Sequence, residues 1–205
     1  MSEIKNICKQ VPIIPVLVID DISKAKPLAK TLIEAGLHVL EVTLRTPCAL
    51  EVIKIMSEVE GSIVGAGTVL NKKDVINAKL AGAKFIVSPG FTQEIIDACE
   101  EENIPLLPGV STAVEIMQIY GKGFDMLKFF PAEAAGGIPM LKALGAPFPN
   151  ISFCPTGGIS ESLAYDYIDL PNVVCVGGSW ITPNSLVKAE NWEAIKAIAL
   201  KAQQR

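Results

Sequence analysis

The fold is decided by a strand–helix–strand unit in residues 13–44, which read IIPVLVIDDISKAKPLAKTLIEAGLHVLEVTL. Two short apolar runs, Ile13–Ile19 and Val39–Leu44, enclose the amphipathic segment Ser23–Ala35. Apolar strands joined through a helix are typical of a βαβ unit, in which the two strands run parallel. The same alternation recurs along the rest of the chain, roughly every 20 to 25 residues.

This alternation predicts eight βα units in a single domain that covers residues 1–205. The remaining strands are predicted at Ile63–Gly67, Phe85–Ser88, Pro105–Pro108, Met126–Phe130, Ser152–Pro155 and Val173–Val176. The remaining helices are predicted at Pro47–Val59, Lys72–Ala81, Thr92–Glu101, Ala113–Tyr120, Ile138–Leu144, Glu161–Ile168 and Trp192–Gln203. Eight such units favour a (β/α)8 TIM barrel of the α/β class. An open doubly wound sheet is the alternative, but the Gly-x-Gly-x-x-Gly motif expected after its first strand is absent.

Residues with strong terminal preferences mark the helix boundaries. Side chains that can accept a hydrogen bond from the first helical turn are predicted as N-caps: Ser23, Asn71, Thr92, Thr112 and Ser160. Glycines that can adopt the left-handed conformation are predicted just beyond helix ends: Gly36, Gly61, Gly82 and Gly121.

Composition narrows the class of function. Half of the residues are hydrophobic and 20% are charged, which suits a parallel sheet that is buried on both faces. The net charge is −4 with no basic block, so nucleic acid is not an expected partner. No apolar run has the length of a membrane span, and the N-terminus lacks a signal-peptide pattern, so we expect no membrane association and a cytoplasmic location.

Cysteine and histidine usage argues against a metal centre. The five cysteines form no Cys-x-x-Cys pair, which indicates reduced thiols, and Cys154 and Cys175 are interpreted as core residues. The single histidine, His38, has no neighbouring ligand in the sequence and is interpreted as structural. We therefore expect neither a metal site nor a cofactor.

Lys128 is the most unusual residue, because apolar residues flank it on both sides within the segment Asp125–Pro131. A buried, unpaired ammonium costs several kcal/mol, so such a lysine must be paired or neutral. A neutral lysine amine is a nucleophile that forms Schiff bases with carbonyl compounds. A lysine that extends from the strand end to solvent, or that pairs with a carboxylate, is the structural alternative.

A second polar pattern lies on the strand Val39–Leu44. Side chains of a strand alternate between its two faces, so Glu41, Thr43 and Arg45 share the face opposite to the apolar one. That polar face is expected to point into the mouth of the barrel, where Glu41 could approach Lys128. The amine and the carboxylate would then supply a nucleophile and a proton shuttle. A structural Glu41–Arg45 ion pair is the alternative.

Small polar residues and glycines end the other strands. Gly65-Ala66-Gly67-Thr68 ends the third strand, where glycine lets a ligand approach the backbone. Thr156-Gly157-Gly158 and Gly177-Gly178-Ser179 end the last two strands, where barrels commonly bind phosphate. Simple turns are the alternative for these glycine pairs. Glu133 is interpreted as a first-turn acid of the following helix rather than a catalyst.

Together these motifs resemble the 2-keto-3-deoxy-6-phosphogluconate aldolases, which also act as 4-hydroxy-2-oxoglutarate aldolases. The resemblance covers nearly the whole chain. It rests on Glu41–Thr46, Gly65–Val69, Ser88–Gly90, Lys128–Glu133, Pro155–Ile159 and Gly177–Trp180.

The resemblance implies a role for each matching residue. It implies that Lys128 forms the imine, that Glu41 is the general acid/base, and that Arg45 and Thr68 hold the pyruvyl carboxylate. It places the substrate phosphate at the two glycine turns, where the implied binding residues are Thr156, Gly157, Gly158, Gly178 and Ser179. It also implies that Pro89 and Phe130 line the site.

The resemblance further implies a metal-independent class I aldolase that acts on a phosphorylated 2-keto acid and assembles as a homotrimer. Two other functions are compatible with the glycine turns. One is a different phosphate-binding barrel enzyme, an isomerase or synthase, in which Lys128 acts electrostatically. The other is a phospho-sugar-binding protein without catalytic activity.

Overall fold

The structure is a computed structural model that describes residues 2–203; the first residue and the last two residues of the predicted domain lie outside this range. The strands are β1 (Ile13–Leu17), β2 (Val39–Thr43), β3 (Ile63–Gly67), β4 (Phe85–Val87), β5 (Leu106–Leu107), β6 (Gly109–Val110), β7 (Met126–Phe129), β8 (Ser152–Pro155) and β9 (Val176–Gly178). The helices are α1 (Glu3–Cys8), α2 (Ala25–Glu34), α3 (Ala49–Ser57), α4 (Lys72–Leu80), α5 (Gln93–Glu101), α6 (Ala113–Tyr120), α7 (Gly137–Gly145), α8 (Glu161–Ile168), α9 (Asn184–Lys188) and α10 (Trp192–Gln203).

All strand pairs are parallel, and their order follows the chain. A six-stranded sheet has the order β5-β4-β3-β2-β1-β9, and a three-stranded sheet has the order β6-β7-β8. The last strand lies beside the first, which is not the strand order of a doubly wound sheet. The predicted parallel α/β architecture is confirmed. The hydrogen-bonded strands form two separate sheets, however, and not the single closed ring of eight strands that was predicted.

The separation between the two sheets has a local cause at Pro108. β5 lies within the predicted strand Pro105–Pro108, whereas β6 begins at Gly109, one residue beyond its predicted end. Pro108 stands between them and interrupts the ladder, because proline has no N–H to donate. The Pro108 carbonyl still accepts a hydrogen bond of 2.9 Å from the Lys128 N–H of β7. Isolated parallel bridges join Phe153 to Val173 and Thr156 to Gly177.

The last strand begins three residues later and ends two residues later than predicted. The sequence favoured Val173–Val176, because valine prefers strands and glycine does not. In the structure, Val176–Gly178 pairs with Ile13–Pro15 of β1, and Val173 forms only an isolated bridge. The short helices α1 and α9 were not predicted, since segments of 6 and 5 residues carry too little periodicity.

Most of the predicted helix boundaries are confirmed. The side chains of Asn71, Thr92, Thr112 and Ser160 each accept a hydrogen bond from the backbone of the first turn. Ser23 was wrong as an N-cap: its N–H donates to Asp21, which caps a short 3-10 turn before α2 begins at Ala25.

The predicted helix-ending glycines are confirmed at Gly36 and Gly82, which directly follow the C-cap residues of α2 and α4. Gly61 lies three residues beyond Glu58, the C-cap of α3, although its conformation is also left-handed. Gly36, Gly61 and Gly82 have φ values of 88°, 84° and 100°. Gly121 has an ordinary right-handed φ of −60°, and Gly123, at 90°, adopts the left-handed conformation instead.

The described residues contain neither a helix that could span a membrane nor a group of three side chains that could hold a metal ion. The five cysteines are unpaired, and Cys154 and Cys175 are buried, as predicted. Both ring nitrogens of His38 lie within hydrogen-bond distance of protein oxygens, those of Gly36 and Gln10.

Candidate active site

The structure brings Lys128 and Glu41 together inside the protein. Lys128 is on β7 and Glu41 is on β2, and their side chains are 6% and 4% exposed. Lys128 Nζ donates a hydrogen bond of 3.1 Å to Glu41 Oε1. The alternative in which Lys128 extends to solvent is therefore wrong. The Glu41 carboxylate offsets the cost of burying the Lys128 ammonium.

The alternation predicted for β2 is confirmed by its contacts. Leu40 and Val42 are buried on the apolar face. On the other face, Thr43 Oγ1 donates a hydrogen bond of 2.9 Å to the Leu17 carbonyl of β1. This bond ties β2 to its neighbour just beyond Glu41, so the carboxylate extends from a fixed backbone.

Arg45 bonds to Thr68 and not to Glu41, the partner that a structural ion pair would require. Its Nε donates a hydrogen bond of 3.3 Å to Thr68 Oγ1, and within residues 2–203 it forms no ion pair with a carboxylate. The proposed Glu41–Arg45 pair is therefore wrong. The guanidinium remains available for an anionic ligand that lies beside Thr68.

Thr68 has a strained backbone. Its φ is 59°, in the left-handed region that a β-branched residue rarely adopts. Such strain costs on the order of 1–3 kcal/mol and persists only where neighbouring contacts impose it. This conformation could not be predicted from the sequence, because threonine normally argues against it.

A cavity of about 420 Å³ opens beside these residues. It is lined by eight of the predicted site residues: Arg45, Thr68, Pro89, Phe130, Thr156, Gly157, Gly158 and Ser179. Val16, Val18, Ile159 and Gly177 complete the wall. Gly177 belongs to the predicted glycine turn, and the other three were not predicted as site residues. Gly178 does not line the cavity, because it packs beneath Trp180, whose ring would lie 2.2 Å from a Cβ at that position.

Phe130 connects the buried pair to this cavity. Lys128 Nζ lies 5.4 Å from the centroid of the Phe130 ring, within the range of a cation–π contact. The same ring lines the cavity. Phe130 therefore lies next to both the amine and the cavity.

The glycine turn after β8 depends on glycine for two reasons. Gly157 and Gly158 have φ values of 107° and 78°, which disfavour any side chain. Space is also limited, since a Cβ on Gly158 would lie 2.9 Å from Glu133 Cβ. The turn leads into α8, whose N-cap is Ser160, and a helix N-terminus favours an anion nearby.

Glu133 supports this turn from behind. It lies in the turn between β7 and α7, so its placement in the first turn of a helix was wrong. Its N–H donates a hydrogen bond of 3.1 Å to the Gly157 carbonyl, and its carboxylate accepts a hydrogen bond from the Tyr167 hydroxyl. Burial of Tyr167 and this carboxylate together raise the pKa of the phenol.

The geometry defines a class of protein: a parallel α/β chain in which a buried lysine pairs with a glutamate of another strand, near a cavity that an arginine and a glycine turn help to line. Residues 4–198 match the family model described as KDPG and KHG aldolase. The chain belongs to this family.

Individual relatives agree with that membership. The 2-dehydro-3-deoxy-phosphogluconate aldolase of Pseudoalteromonas atlantica is 50% identical over 199 residues, which cover 97% of this chain and 93% of that protein. The KDPG aldolase from Legionella pneumophila, solved with pyruvate captured as a covalent carbinolamine intermediate, superimposes with a TM-score of 0.96 at 44% identity and covers 99% of both chains. The aldolase of Zymomonas mobilis ZM4, solved with 3-phosphoglycerate, has a TM-score of 0.95 at 48% identity and covers 98% of this chain and 95% of its own.

Proposed function

We propose that the protein is a class I aldolase that cleaves 2-keto-3-deoxy-6-phosphogluconate to pyruvate and glyceraldehyde 3-phosphate. The same chemistry cleaves 4-hydroxy-2-oxoglutarate to pyruvate and glyoxylate. The observation that carries the proposal is the buried hydrogen bond of 3.1 Å between Lys128 Nζ and Glu41 Oε1. The covalent pyruvate intermediate of the Legionella relative supports it.

The first half of the reaction joins the substrate to Lys128. Proton transfer within the hydrogen-bonded pair yields a neutral amine and a protonated Glu41. The amine attacks the C2 ketone of the substrate and forms a carbinolamine. Glu41 then protonates the departing hydroxyl, water leaves, and a protonated imine remains.

The second half breaks the carbon chain. The Glu41 carboxylate accepts the proton of the C4 hydroxyl, through a water molecule, and the aldehyde product forms at C4. The electron pair of the C3–C4 bond moves into the protonated imine and gives an enamine. Protonation at C3 and hydrolysis release pyruvate and regenerate the amine. The imine supplies the polarisation, so no step uses a metal.

The cavity residues divide between the two ends of the substrate. In this proposal Arg45 and Thr68 bind the pyruvyl carboxylate, because a guanidinium and a hydroxyl already meet there. The phosphate binds at the glycine turns through Thr156, Gly157, Gly158 and Ser179, with Gly178 holding the second turn in place. Pro89 and Phe130 form the walls. The 3-phosphoglycerate bound by the Zymomonas relative supports a phosphorylated substrate.

We also propose that the two sheets belong to one closed (β/α)8 barrel. β5 and β6 follow each other directly across Pro108, so they join the two ladders on one side. On the other side the Thr156–Gly177 bridge links the end of β8 to β9. The cytoplasmic location remains a prediction from the sequence.

A homotrimer is the oligomeric state that we propose. Its support is an apolar stripe on α6, where Val114, Met117 and Tyr120 recur every third residue and are 63%, 64% and 47% exposed. A subunit interface would bury such a stripe. Met117→Glu should therefore shift the mass in light scattering from trimer to monomer. Leu80→Glu on α4, where the leucine is also exposed, should leave the mass unchanged; a trimer in both variants would remove α6 from the interface.

Covalent trapping tests the proposed function. We expect sodium borohydride to inactivate the protein irreversibly in the presence of pyruvate, and peptide mass spectrometry to find a reduced pyruvyl group on Lys128. Borohydride without pyruvate is the first control. A Lys84→Arg variant, which changes an exposed lysine, should be labelled as the wild type is. Label on another lysine, or none, would favour an isomerase, a synthase or a binding protein without catalysis.

A further inference from the structure

The Glu41 carboxylate occupies the space where residue 67 would carry a side chain. Gly67 is the last residue of β3, and a Cβ built there would lie 2.3 Å from Glu41 Oε1, 2.7 Å from Cγ and 2.9 Å from Cδ. Oε1 is the same oxygen that accepts the hydrogen bond from Lys128. The carboxylate is therefore bounded by the lysine amine and by the bare Cα of Gly67.

The strand register explains this contact. Glu41 is paired with Gly65, and Thr43 is paired with Gly67. The side chain of Glu41 must lean along the strand by two residues, roughly 6.6 Å, to reach Gly67. This lean moves the carboxylate from the packed interior of the sheet toward the strand ends, where the cavity opens.

Gly65 and Gly67 lie on the same face of β3 but leave room for different groups. A Cβ on Gly65 would lie 2.3 Å from the ring of Phe85, a fully buried core residue. At Gly67 the space that a side chain would fill is occupied by the Glu41 carboxylate. The φ of Gly67 lies outside the left-handed region, so the backbone itself accepts alanine, and the cost of a methyl group at Gly67 falls on Glu41.

We propose that Gly67 is a positioning residue that holds the Glu41 carboxylate against Lys128. The proposal rests on the proposed function, because it concerns the proton transfers assigned to Glu41. A methyl group at position 67 would push Oε1 from 2.3 Å to an ordinary contact of at least 3.4 Å. A displacement of about 1 Å in a catalytic group can lower a rate by about 10²-fold.

A double-mutant cycle tests this role. Gly67→Ala is expected to lower kcat for the phosphorylated substrate by about 10²-fold, while KM changes by less than about 3-fold. In a Glu41→Ala background the same substitution should change kcat by less than about 2-fold, because no carboxylate remains to be displaced.

A second readout separates proton transfer from cleavage. Deuterium exchange into the methyl group of pyruvate, followed by NMR in D2O, requires imine formation and proton transfer but no aldehyde. Gly67→Ala should slow this exchange in parallel with kcat. Gly121→Ala is the control for a glycine-to-alanine change, since its nearest neighbours would lie at 3.5 and 3.7 Å, and it should behave as the wild type.

Gly65→Ala controls for crowding within β3. It should lower the melting temperature through Phe85, and its effect on kcat should be the same in both Glu41 backgrounds. If Gly67→Ala behaves likewise, with equal losses in both backgrounds, Gly67 serves packing alone and the proposal is wrong.

Folding is itself informative. A Gly67→Ala chain that unfolds by circular dichroism in the wild-type background but folds with Glu41→Ala supports a clash with the carboxylate, whereas unfolding in both overturns the proposal. The wild-type trapping experiment keeps the two proposals distinct. If pyruvate is trapped on Lys128 but Gly67→Ala has the same effect with and without Glu41, only the role of Gly67 is contradicted. If no pyruvate is trapped, the proposed function is contradicted.

Discussion

The buried Lys128–Glu41 pair and the glycine turn at Gly157-Gly158 both lie next to the Phe130 ring, and they are built by opposite means. Lys128 Nζ is 5.4 Å from the Phe130 centroid, and a Cβ on Gly157 would lie 3.3 Å from that same ring. The pair depends on two charged side chains removed from water. The turns depend on glycine, which has no side chain to block the approach of a ligand to the backbone. A change in the pair should abolish chemistry for every substrate, whereas a change in the turns should discriminate between substrates.

The largest effect is expected at Lys128. Lys128→Arg keeps the positive charge next to Glu41 but removes the amine that can form an imine. We expect kcat to fall by at least ~10⁴-fold for both proposed substrates. Steady-state kinetics and the borohydride trap measure the change. Residual activity within tenfold of the wild type would mean that charge, and not covalent bonding, is what Lys128 contributes.

Glu41→Gln should have the next largest effect. The amide is nearly the same shape as the carboxylate, so the fold and substrate affinity should persist while proton transfer is lost. We expect kcat to fall by about 10²- to 10⁴-fold, the usual contribution of a positioned acid or base. Equal losses for phosphorylated and non-phosphorylated substrates would strengthen the contrast with the turns; turnover like that of the wild type would leave Glu41 a structural partner of Lys128.

The sequence predicted the first of these two regions well for a physical reason. A lysine within Met126–Phe129 and a glutamate within Val39–Thr43 both contradict the apolar character of their strands, and period-two alternation puts each on the inner face. The parallel α/β class followed from the same alternation. The specific roles came from resemblance, because no pattern within a single chain assigns an acid or a carboxylate site.

What the sequence could not predict depends on contacts between distant segments. The contact of Gly67 with Glu41 arises from strand register, and a glycine in a strand carries no sign of which neighbour needs its space. The hydrogen bond from Tyr167 to Glu133 joins residues 34 positions apart, so Glu133 looked like a helix-terminal acid. The continuation of the chain beyond Pro108 as β6, in a second sheet, likewise became visible only through its pairing.

Ser179→Asp tests the second region and should discriminate between substrates. Ser179 lines the cavity after Gly177-Gly178, so an added carboxylate there repels a phosphate dianion. We expect kcat/KM for the phosphorylated substrate to fall by at least ~10²-fold, about 3 kcal/mol, and cleavage of 4-hydroxy-2-oxoglutarate to fall far less. Asn150→Asp adds the same charge near the amino end of β8, whereas the cavity lies at the carboxyl ends of the strands. This variant should change neither value. Equal losses on both substrates would mean that Gly177-Gly178-Ser179 is a structural turn and does not bind the substrate phosphate.

The smallest effect is expected at Thr68, which lines the cavity and combines a strained backbone with a hydrogen-bonding side chain. Its φ of 59° is tolerated much better by asparagine. Thr68→Asn should therefore relieve strain of about 1 kcal/mol and raise the melting temperature by about 2–4 °C. It should also lower kcat/KM by roughly fivefold, since the hydroxyl that meets Arg45 is lost.

A second left-handed residue provides the matched control. Glu190 has a φ of 54° and lies outside the cavity, where its carboxylate forms an exposed ion pair with Lys24. Glu190→Asn relieves the same backbone conformation and should leave kcat/KM unchanged for both substrates. Thermal melting and steady-state kinetics on the two variants separate strain from binding. If Thr68→Asn gained no stability while activity fell, the left-handed conformation of Thr68 would impose no cost, and its hydroxyl alone would account for the residue at the site.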